Sequence, residues 1–385
     1  MDLLRLYSIV AVGLVALAAR PGAVRSAPVK ERQVFLLVAG GSVQPDDLSI
    51  RDLAIVDENT VVVVGTTFDK DDDTNPINLG PNGAIVDLTK KTSRPFTNGH
   101  KSCICTAAVG RGRVATISTT RDPFLRLWDL KTSKSAGAVQ IDEPDGDGSA
   151  SGHEVGLFHK SDRVAVSVKD RVLLFDPDKP DTRTELACPE GCGWPDHPIV
   201  SPDDARIAAT ATWSNLIVWD VATKKPQVVS LAPDQGDPKH WMSRGCVFGP
   251  NGLLIAWRSP SGNGDVPRAK GEDVPGDRCE VVRIDGDKVV PLGIGGNSFD
   301  VFDCALDPSG TWLAVAGCRQ LDKPLKDGST SVGELRVYHL GTKELAFREQ
   351  VEGLPLTHVA FAPSGKRVVC CTYDGFVRWW NVKGK

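Results

Sequence analysis

The chain of 385 residues lacks a large excess of charge of either sign, since its formal net charge is −4 at pH 7. A protein that binds nucleic acid needs a strongly basic surface to neutralise phosphates, so this balance argues against that class of partner. Hydrophobic residues make up 41% of the chain and charged residues 24%, as in ordinary globular proteins. We therefore expect a globular protein that does not bind nucleic acid.

The sequence also lacks the short motifs that mark many catalytic and cofactor sites. It has no G-x-S-x-G nucleophile elbow, no P-loop, no H-E-x-x-H pair and no G-x-G-x-x-G after a strand. It has neither a C-x-x-C-H haem site nor a paired C-x-x-C zinc ribbon. These absences favour a binding protein without a cofactor over an enzyme.

A hydrophobic run long enough to cross a membrane is missing as well. The apolar stretch from about Ile9 to Ala19 follows Arg5, is short for a bilayer span, and precedes the small residues from Ala23 to Ala27. This order is typical of a cleavable secretory signal, which we place at residues 1–27, with one domain over 28–385. An uncleaved signal anchor is the alternative. We expect the protein to be exported, whether periplasmic, bound in the cell envelope or secreted, with no transmembrane segment after cleavage.

The ten cysteines matter because exported proteins often form disulfides. Most of them lie inside apolar strand patterns, where a buried thiol packs as a small hydrophobic group. Cys188 and Cys192, in "CPEGCGW", are different because they lie in a loop rich in glycine and proline. The sequence is compatible both with a local disulfide between Cys188 and Cys192 and with two free thiols.

A repeat is present along most of the chain. The stretches "STTRDPFLRLWDL" (118–130), "ATATWSNLIVWDV" (209–221) and "CTYDGFVRWWNV" (371–382) each contain two short strand patterns, the second ending in Trp and a polar residue. Weaker copies bring the number of units to seven, with strand ends spaced 42 to 65 residues apart. Four short strands per unit at such a period indicate a β-propeller.

At these residues the chain resembles the WD40-repeat family. In that family a His, a Ser or Thr, an Asp and the Trp of the third strand form a buried hydrogen-bond network. The resemblance implies an all-β, seven-bladed propeller of four-stranded antiparallel blades. It assigns the network to His100, Thr120, Asp122 and Trp128 in unit 2 and to Thr372, Asp374 and Trp380 in unit 7, with Trp219 and Asp220 as the strand end of unit 4.

The last unit supplies only three strands. An unpaired strand edge invites aggregation, and closing the ring removes it. The apolar segment "QVFLLVAG" (33–40) precedes the first unit and has no other partner. We predict that it is the outer strand of the last blade.

In a propeller, the connections between blades and the turns between the second and third strands of each blade emerge on one face. All the long insertions fall on this face, and their segments sum to a charge of −12, against +9 for the turns between third and fourth strands and the C-terminal tail. Loops elaborated on a rigid scaffold usually carry binding. We expect a monomeric scaffold that binds a protein with a basic surface through this acidic face. Trp194, Trp213 and Trp241 are the candidate anchors.

Two further readings of the acidic residues are open. The loop residues Asp69, Asp71, Asp73 and Asn75 alternate like the start of a calcium loop, but the required Gly and Glu positions hold Thr74 and Gly80, so we expect no metal. The alternative function is a propeller enzyme, similar to lactonases or quinone-dependent dehydrogenases, with its site at the mouth of the central tunnel. The residues available there are Asp46, Asp47, His153, Asp196, His240 and Asp300.

Overall fold

The structure is a computed structural model, and it describes the backbone of residues 36–383 apart from several internal segments. These segments are 46–47, 68–81, 98–99, 101–103, 111, 119–123, 142–153, 213, 234–240, 261–278, 296–298, 322, 326–327 and 352–354. The predicted signal peptide lies outside the described residues.

Twenty-eight β-strands account for almost all regular structure in the described part of the chain. They are β1 (Leu36–Val43), β2 (Leu48–Ile55), β3 (Thr60–Thr67), β4 (Gly83–Asp87), β5 (Thr92–Pro95), β6 (Ile104–Gly110), β7 (Arg113–Ser118), β8 (Phe124–Asp129), β9 (Ser135–Gln140), β10 (Val155–Leu157), β11 (Val164–Val168), β12 (Arg171–Asp176), β13 (Lys179–Ala187), β14 (Pro195–Val200), β15 (Arg206–Ala211), β16 (Asn215–Asp220), β17 (Pro226–Ser230), β18 (Trp241–Phe248), β19 (Leu254–Pro260), β20 (Glu280–Asp285), β21 (Lys288–Gly295), β22 (Phe299–Leu306), β23 (Trp312–Gln320), β24 (Ser331–His339), β25 (Leu345–Val351), β26 (Leu356–Phe361), β27 (Arg367–Thr372) and β28 (Val377–Lys383). Among the described residues, no helix is long and apolar enough to cross a membrane.

The strands form seven antiparallel sheets of four, which confirms the predicted all-β, seven-bladed propeller. Blades 1 to 6 are β2–β5, β6–β9, β10–β13, β14–β17, β18–β21 and β22–β25, and blade 7 combines β26, β27 and β28 with β1. The first strand of each blade lies beside the central channel and the fourth lies at the rim. We call the face where connections between blades emerge the loop face, and the opposite one the plain face.

The burial of each strand follows from its place in the blade. A middle strand has a neighbouring blade on both sides, so it must be apolar on both faces; Val61, Val62, Val63 and Val64 of β3 are all fully buried. An outer strand meets water, and β9 is exposed at most of its positions. The core is therefore divided into clusters between adjacent blades, such as the one that joins Ile117 and Leu125 of blade 2 to Val166 of blade 3.

The predicted closure of the ring is also confirmed. β1 pairs with β28 in antiparallel register, with Leu37 opposite Val382 and Ala39 opposite Trp380. The described part of the strand, Leu36–Val43, extends three residues beyond the predicted end at residue 40, and residues 33–35 lie outside the described residues. The extension has a local cause, since a bulge at Gly40 leads the chain past the indole of Trp379, and the pairing then continues to Val43.

Candidate binding site at the channel mouth

The inner strands begin on the loop face, and six of the seven contain a bulge close to that end. The register shifts fall between residues 50 and 52, 104 and 106, 196 and 199, 243 and 245, 301 and 303, and 356 and 358. A bulge re-aims a side chain and often lies next to a functional site. The repeated bulges set a ring of side chains around the mouth of the channel.

Two aspartates that follow bulges join neighbouring blades. The Oδ2 atom of Asp52 accepts the backbone N–H of Ala107 at 2.8 Å, and that of Asp303 accepts the N–H of Val359 at 2.9 Å. Thr106 takes the equivalent role in blade 2, where its Oγ1 accepts the N–H of Val155 at 3.1 Å. Burial raises the pKa of Asp52 and of Asp303 to about 7, although these backbone N–H groups act in the opposite direction.

Glu154, Asp196 and His197 form a cluster across blades 3 and 4. The Nδ1 atom of His197 lies 2.9 Å from Oε2 of Glu154 and 3.7 Å from Oδ2 of Asp196. The backbone N–H of His197 also donates to Glu154, and His197 has a φ of 51°, the left-handed region that residues with a Cβ seldom adopt. This backbone conformation turns the imidazole towards both carboxylates.

The electrostatics of the cluster follow from the two carboxylates. Burial lowers the pKa of His197, but the carboxylates of Glu154, Asp196 and Asp52 together outweigh burial and raise that pKa to about 10. Burial and the nearby Glu154 charge raise the pKa of Asp196 to about 6. The imidazole of His197 is therefore protonated at neutral pH.

Glu154 and His197, together with Asp52 and Asp303, line a cavity of about 390 Å³ at the mouth of the channel. His358 lies on another side, with its Nε2 atom 3.8 Å from Oδ1 of Asp52. Burial lowers the pKa of His358 to about 3, so its ring is neutral, and its buried Nδ1 has no hydrogen-bond partner among the described residues. Arg51 and Arg244 complete the charged lining. A polar cavity of this size, lined by charged groups of both signs, can receive an ion or a polar side chain.

Several large apolar side chains are exposed on the loop face. Of the seven found among the described residues, five belong to the loop face by their position in the blades, and Val228 and Leu345 lie on the outer strands β17 and β25. The five are Trp194, Met242, Phe302, Leu325 and Tyr373. Exposed aromatic and apolar residues grouped on one face are typical of a protein-binding surface.

The three predicted tryptophan anchors differ in the structure. Trp194 is 61% exposed, as a partner-binding residue would be. Trp241 is only partly exposed, because its indole stacks on the guanidinium of Arg258 at 5.2 Å. Trp213 lies outside the described residues, as do the calcium-loop candidates Asp69, Asp71, Asp73 and Asn75.

Cys188 and Cys192 both carry free thiols in the structure. They pack in the same apolar cluster between blades 3 and 4, and burial raises the pKa of Cys188 to about 12. A disulfide between them stays a prediction.

The repeat network of blade 2 includes a hydroxyl that the sequence did not single out. The Nε1–H of Trp128 donates to Oγ1 of Thr116 at 2.7 Å, and the same hydroxyl meets Nε2 of His100 at 2.9 Å. The hydroxyl that joins His100 and Trp128 in the structure is that of Thr116 on β7, and a role for Thr120 stays a prediction. Thr120 and Asp122 lie outside the described residues.

The predicted network of blade 7 does not form. The Nε1–H of Trp380 donates to Glu349 of blade 6 at 2.9 Å, while Thr372 caps the turn after β27 by accepting the N–H of Phe376 at 3.1 Å. The reason is the register of the two strands. Trp380 pairs with Val368, which lies four residues before Thr372 at the other end of the strand. The Oδ1 atom of Asp374 is buried without a hydrogen-bond partner among the described residues.

Trp219 and Asp220 of blade 4 have separate structural roles. Trp219 is fully buried and donates its Nε1–H to the carbonyl of Ala187 at 3.0 Å. The carboxylate of Asp220 accepts the N–H and the O–H of Thr223 at 2.7 and 2.8 Å, which closes the turn to the outer strand.

The tunnel residues named for the alternative enzyme are only partly present in the described chain. Asp196 belongs to the cluster, whereas Asp300 faces the thiols of Cys279 and Cys318, each at 3.9 Å. The other four lie outside the described residues.

Sequence reasoning missed five channel-mouth residues, namely Asp52, Glu154, His197, Asp303 and His358. Their shared signal is a position at the start of the first strand of a repeat.

Comparisons with known proteins agree with this architecture. The profile of the WD domain, G-beta repeat (WD40) matches residues 349–381, which cover parts of β25 and β28 and all of β26 and β27. No curated protein matches significantly. Among solved structures, the crystal structure of the Myceliophteria thermophila Cps50 (Swd1) β-propeller domain is similar, with a TM-score of 0.62 and 12% identity over 90% of this chain and 100% of that chain. At this identity the likeness concerns the fold alone.

The matched repeat, the seven blades and the His100–Thr116–Trp128 network lie in one chain. The chain is therefore a seven-bladed β-propeller that contains a WD40 repeat at residues 349–381.

Proposed function

We propose that the protein is a non-catalytic interaction scaffold outside the cytoplasm, and that its loop face binds a protein with a basic surface. The observation that carries this proposal is the position of the exposed apolar side chains. Trp194 and Tyr373 are 61% and 48% exposed, and they lie on the face where the long insertions occur. Large aromatic groups of this kind commonly anchor protein interfaces.

The charge of the same face supports a basic partner. The loop-face segments carry a net charge of −12 in the sequence, and Asp52, Glu154 and Asp303 line the channel mouth in their midst. Complementary charge speeds the encounter of two proteins and makes the association rate sensitive to salt. The aromatic groups would then supply contact area, while the carboxylates select the partner.

A retention experiment tests this function. Immobilised wild-type protein should retain a basic protein from an extract of the source cells at low salt and release it at high salt. Trp194→Ser and Tyr373→Ser should reduce retention at least about tenfold, as expected for interface anchors. Val228→Ser and Leu345→Ser are matched controls, because they remove exposed apolar groups from the outer strands. If nothing is retained at low salt, or if the controls lose as much, the proposal fails.

Export is tested separately by cell fractionation. The proposal expects the mature chain in the periplasmic, envelope or secreted fraction, with an N-terminus near Pro28. An intact N-terminus in the cytoplasmic fraction would contradict it.

The alternative of a propeller enzyme has one observation in its favour, the Glu154–Asp196–His197 cluster inside an accessible cavity. A carboxylate that contacts a His is a common acid–base arrangement. This alternative predicts hydrolysis of simple lactones by the purified protein, with activity abolished by His197→Ala. If the purified protein hydrolyses none of the lactones tested, the binding function stands as proposed.

A further inference from the structure

Three side chains at the channel mouth have the spacing of ligands around one ion. The ligand atoms of Glu154, Asp196 and His197 all lie within 4.8 Å of one another. Bonds of about 2.1 Å from an ion to nitrogen or oxygen place neighbouring ligand atoms about 3.0 to 3.5 Å apart. The distances from Nδ1 of His197 to the carboxylates of Glu154 and Asp196, 2.9 and 3.7 Å, are close to that range.

We propose that Glu154, Asp196 and His197 form a binding site for one divalent metal ion at the mouth of the central channel. This inference goes beyond the proposed protein interaction and does not depend on it. Its ligands differ from Asp69, Asp71 and Asp73 of the acidic loop considered from the sequence, which lie outside the described residues.

The two carboxylates of the cluster favour a cation. Their oxygen atoms lie within 4.8 Å of each other, which brings two groups of like charge close together. Asp52 and Asp303 add two carboxyl groups to the same cavity. Of the basic groups nearby, Arg244 donates to Oγ of Ser259 at 2.6 Å. A divalent ion would take the place of the proton on Nδ1 of His197 between these carboxylates, so its binding would release that proton.

The ligand set is held in place by the fold. The backbone N–H of Glu154 donates to Oγ of Ser167 at 3.0 Å, and the backbone N–H of His197 donates to the Glu154 carboxylate. Asp196 and His197 are consecutive at the bulge of β14, so their positions are coupled. A ligand set that is already positioned loses little conformational entropy when it binds an ion.

A second, independent observation is the environment of His358. Its Nδ1 atom is buried and has no hydrogen-bond partner among the described residues, although its ring lines the same cavity. Buried polar atoms normally have a partner, so such an atom calls for an explanation. The cavity of about 390 Å³ leaves room for water ligands on an ion, and one of these could donate to the ring.

The donor types indicate the class of ion. One imidazole nitrogen and two carboxylates suit Mn²⁺, Co²⁺ or Zn²⁺ better than Mg²⁺ or Ca²⁺, which prefer oxygen ligands alone. With three protein ligands, further positions are left for water, as in open rather than closed sites.

Titration with Mn²⁺ and Co²⁺, followed by electron paramagnetic resonance and visible absorption, tests the site in the full mature chain after treatment with a chelator. We expect one ion per chain, and a Co²⁺ spectrum without the thiolate charge-transfer band that a cysteine site would show. Glu154→Gln, Asp196→Asn and His197→Ala should each weaken binding about 10-fold to 100-fold or more, the range found even for residues that only support metal ligands. His159→Ala and Glu185→Gln are matched controls, because both side chains lie away from the channel mouth on other parts of blade 3.

Each outcome decides for or against the site. Binding weaker than millimolar in the wild type overturns the proposal, as does binding that all three ligand variants retain or that the controls lose equally. Circular dichroism shows whether each variant folds; if Glu154→Gln does not, Asp196→Asn and His197→Ala carry the comparison. Since metal binding is measured without a partner, its failure leaves the protein interaction intact, and loss of partner retention leaves the metal site intact.

Discussion

The Oδ2 atom of Asp303 accepts a hydrogen bond from the backbone N–H of Val359 at 2.9 Å, which joins the inner strands of blades 6 and 7. Its other oxygen accepts the N–H of Cys304 at 2.8 Å, so one carboxylate satisfies backbone groups of two blades. Asp52 makes the same pair of bonds to Leu53 and Ala107 between blades 1 and 2. In each case the aspartate follows the bulge of an inner strand. The residues at the channel mouth therefore also hold the ring together.

We expect Asp303→Ala to destabilise the propeller by roughly 1–3 kcal/mol, because two backbone N–H groups lose their acceptor beside the channel. Urea unfolding measured by tryptophan fluorescence would show this as a lower midpoint with an unchanged slope. Asp285→Ala is the control, since Asp285 is exposed and pairs only with Arg283; it should change stability by less than about 0.5 kcal/mol. Equal effects of the two substitutions would contradict the role given to Asp303.

The stability of the ring should also depend on the protonation of Asp303. Burial raises its pKa from 3.8 to about 7, so between these values the folded state binds more protons than the unfolded state. The free energy of unfolding that this group contributes therefore falls as the pH rises from about 4 to about 7. Asp303→Asn removes the titration, and we expect its destabilisation relative to the wild type to be largest near pH 4–5 and to shrink towards pH 8.

Asp220 provides the opposite case as a control. The N–H and O–H of Thr223 lower the pKa of its carboxyl, so its contribution is present above the unfolded-state pKa and is lost as the pH falls. The cost of Asp220→Asn should therefore shrink in acid. Unfolding curves of the two variants and the wild type from about pH 2 to pH 8, in the presence of a chelator, would reveal both trends, with that of Asp220 below about pH 4. Parallel curves for Asp303→Asn and wild type would refute the assignment.

The hydroxyl of Thr116 joins His100 to Trp128, and its removal should destabilise blade 2. Thr116→Val keeps the shape of the side chain but leaves the indole N–H and the His100 ring without their partner in a buried place. Trp128 is fully buried and stacks on Phe96 at 4.4 Å, so water cannot readily replace the hydroxyl. We expect a loss of roughly 1–3 kcal/mol in the free energy of unfolding.

Thr92→Val on the exposed strand β5 is the matched control for this substitution, with an expected change within about 0.5 kcal/mol. The measurement is thermal unfolding by circular dichroism. A loss in Thr120→Val that exceeds that of Thr116→Val would restore the network first expected from the sequence.

The sequence was sufficient for the fold because each blade repeats a local pattern. Strand ends such as Asp87, Asp129, Asp176 and Asp220 recur at a period that only a propeller explains, and the four residues do end strands in the structure. The closing strand was found from its apolar composition. Its exact register was not, because the bulge beside Trp379 depends on a contact between the two ends of the chain.

The channel-mouth site could not be predicted in the same way. Asp52, Glu154, His197 and Asp303 come from four different repeats, and no spacing in the sequence marks them as neighbours. Only closure of the ring brings the starts of the inner strands together. The raised pKa values of Asp52, His197 and Asp303 also depend on burial and on neighbouring charges in the channel, which a residue pattern does not contain. Asp196 alone was named in advance, since it follows a loop that the repeat placed at this face.

Closure of the ring rests on two glycines of β1, and substitution of one of them should weaken it. A Cβ at Gly40 would lie 2.3 Å from Cδ1 and 2.4 Å from Nε1 of Trp379, whose side chain is buried at 4% exposure. Because the indole has little room to move, Gly40→Ala should cost about 1–3 kcal/mol, as overpacking of a core does. Hydrogen exchange should locate the effect, with faster exchange of the amides of β28 than of those in blades 2 to 4. Gly137→Ala in the outer strand β9 is the matched control, because no atom lies within 4 Å of its added Cβ. If Gly40→Ala and Gly137→Ala both leave the stability of the protein and the exchange of the β28 amides unchanged, the pairing of β1 with β28 is not what closes the ring.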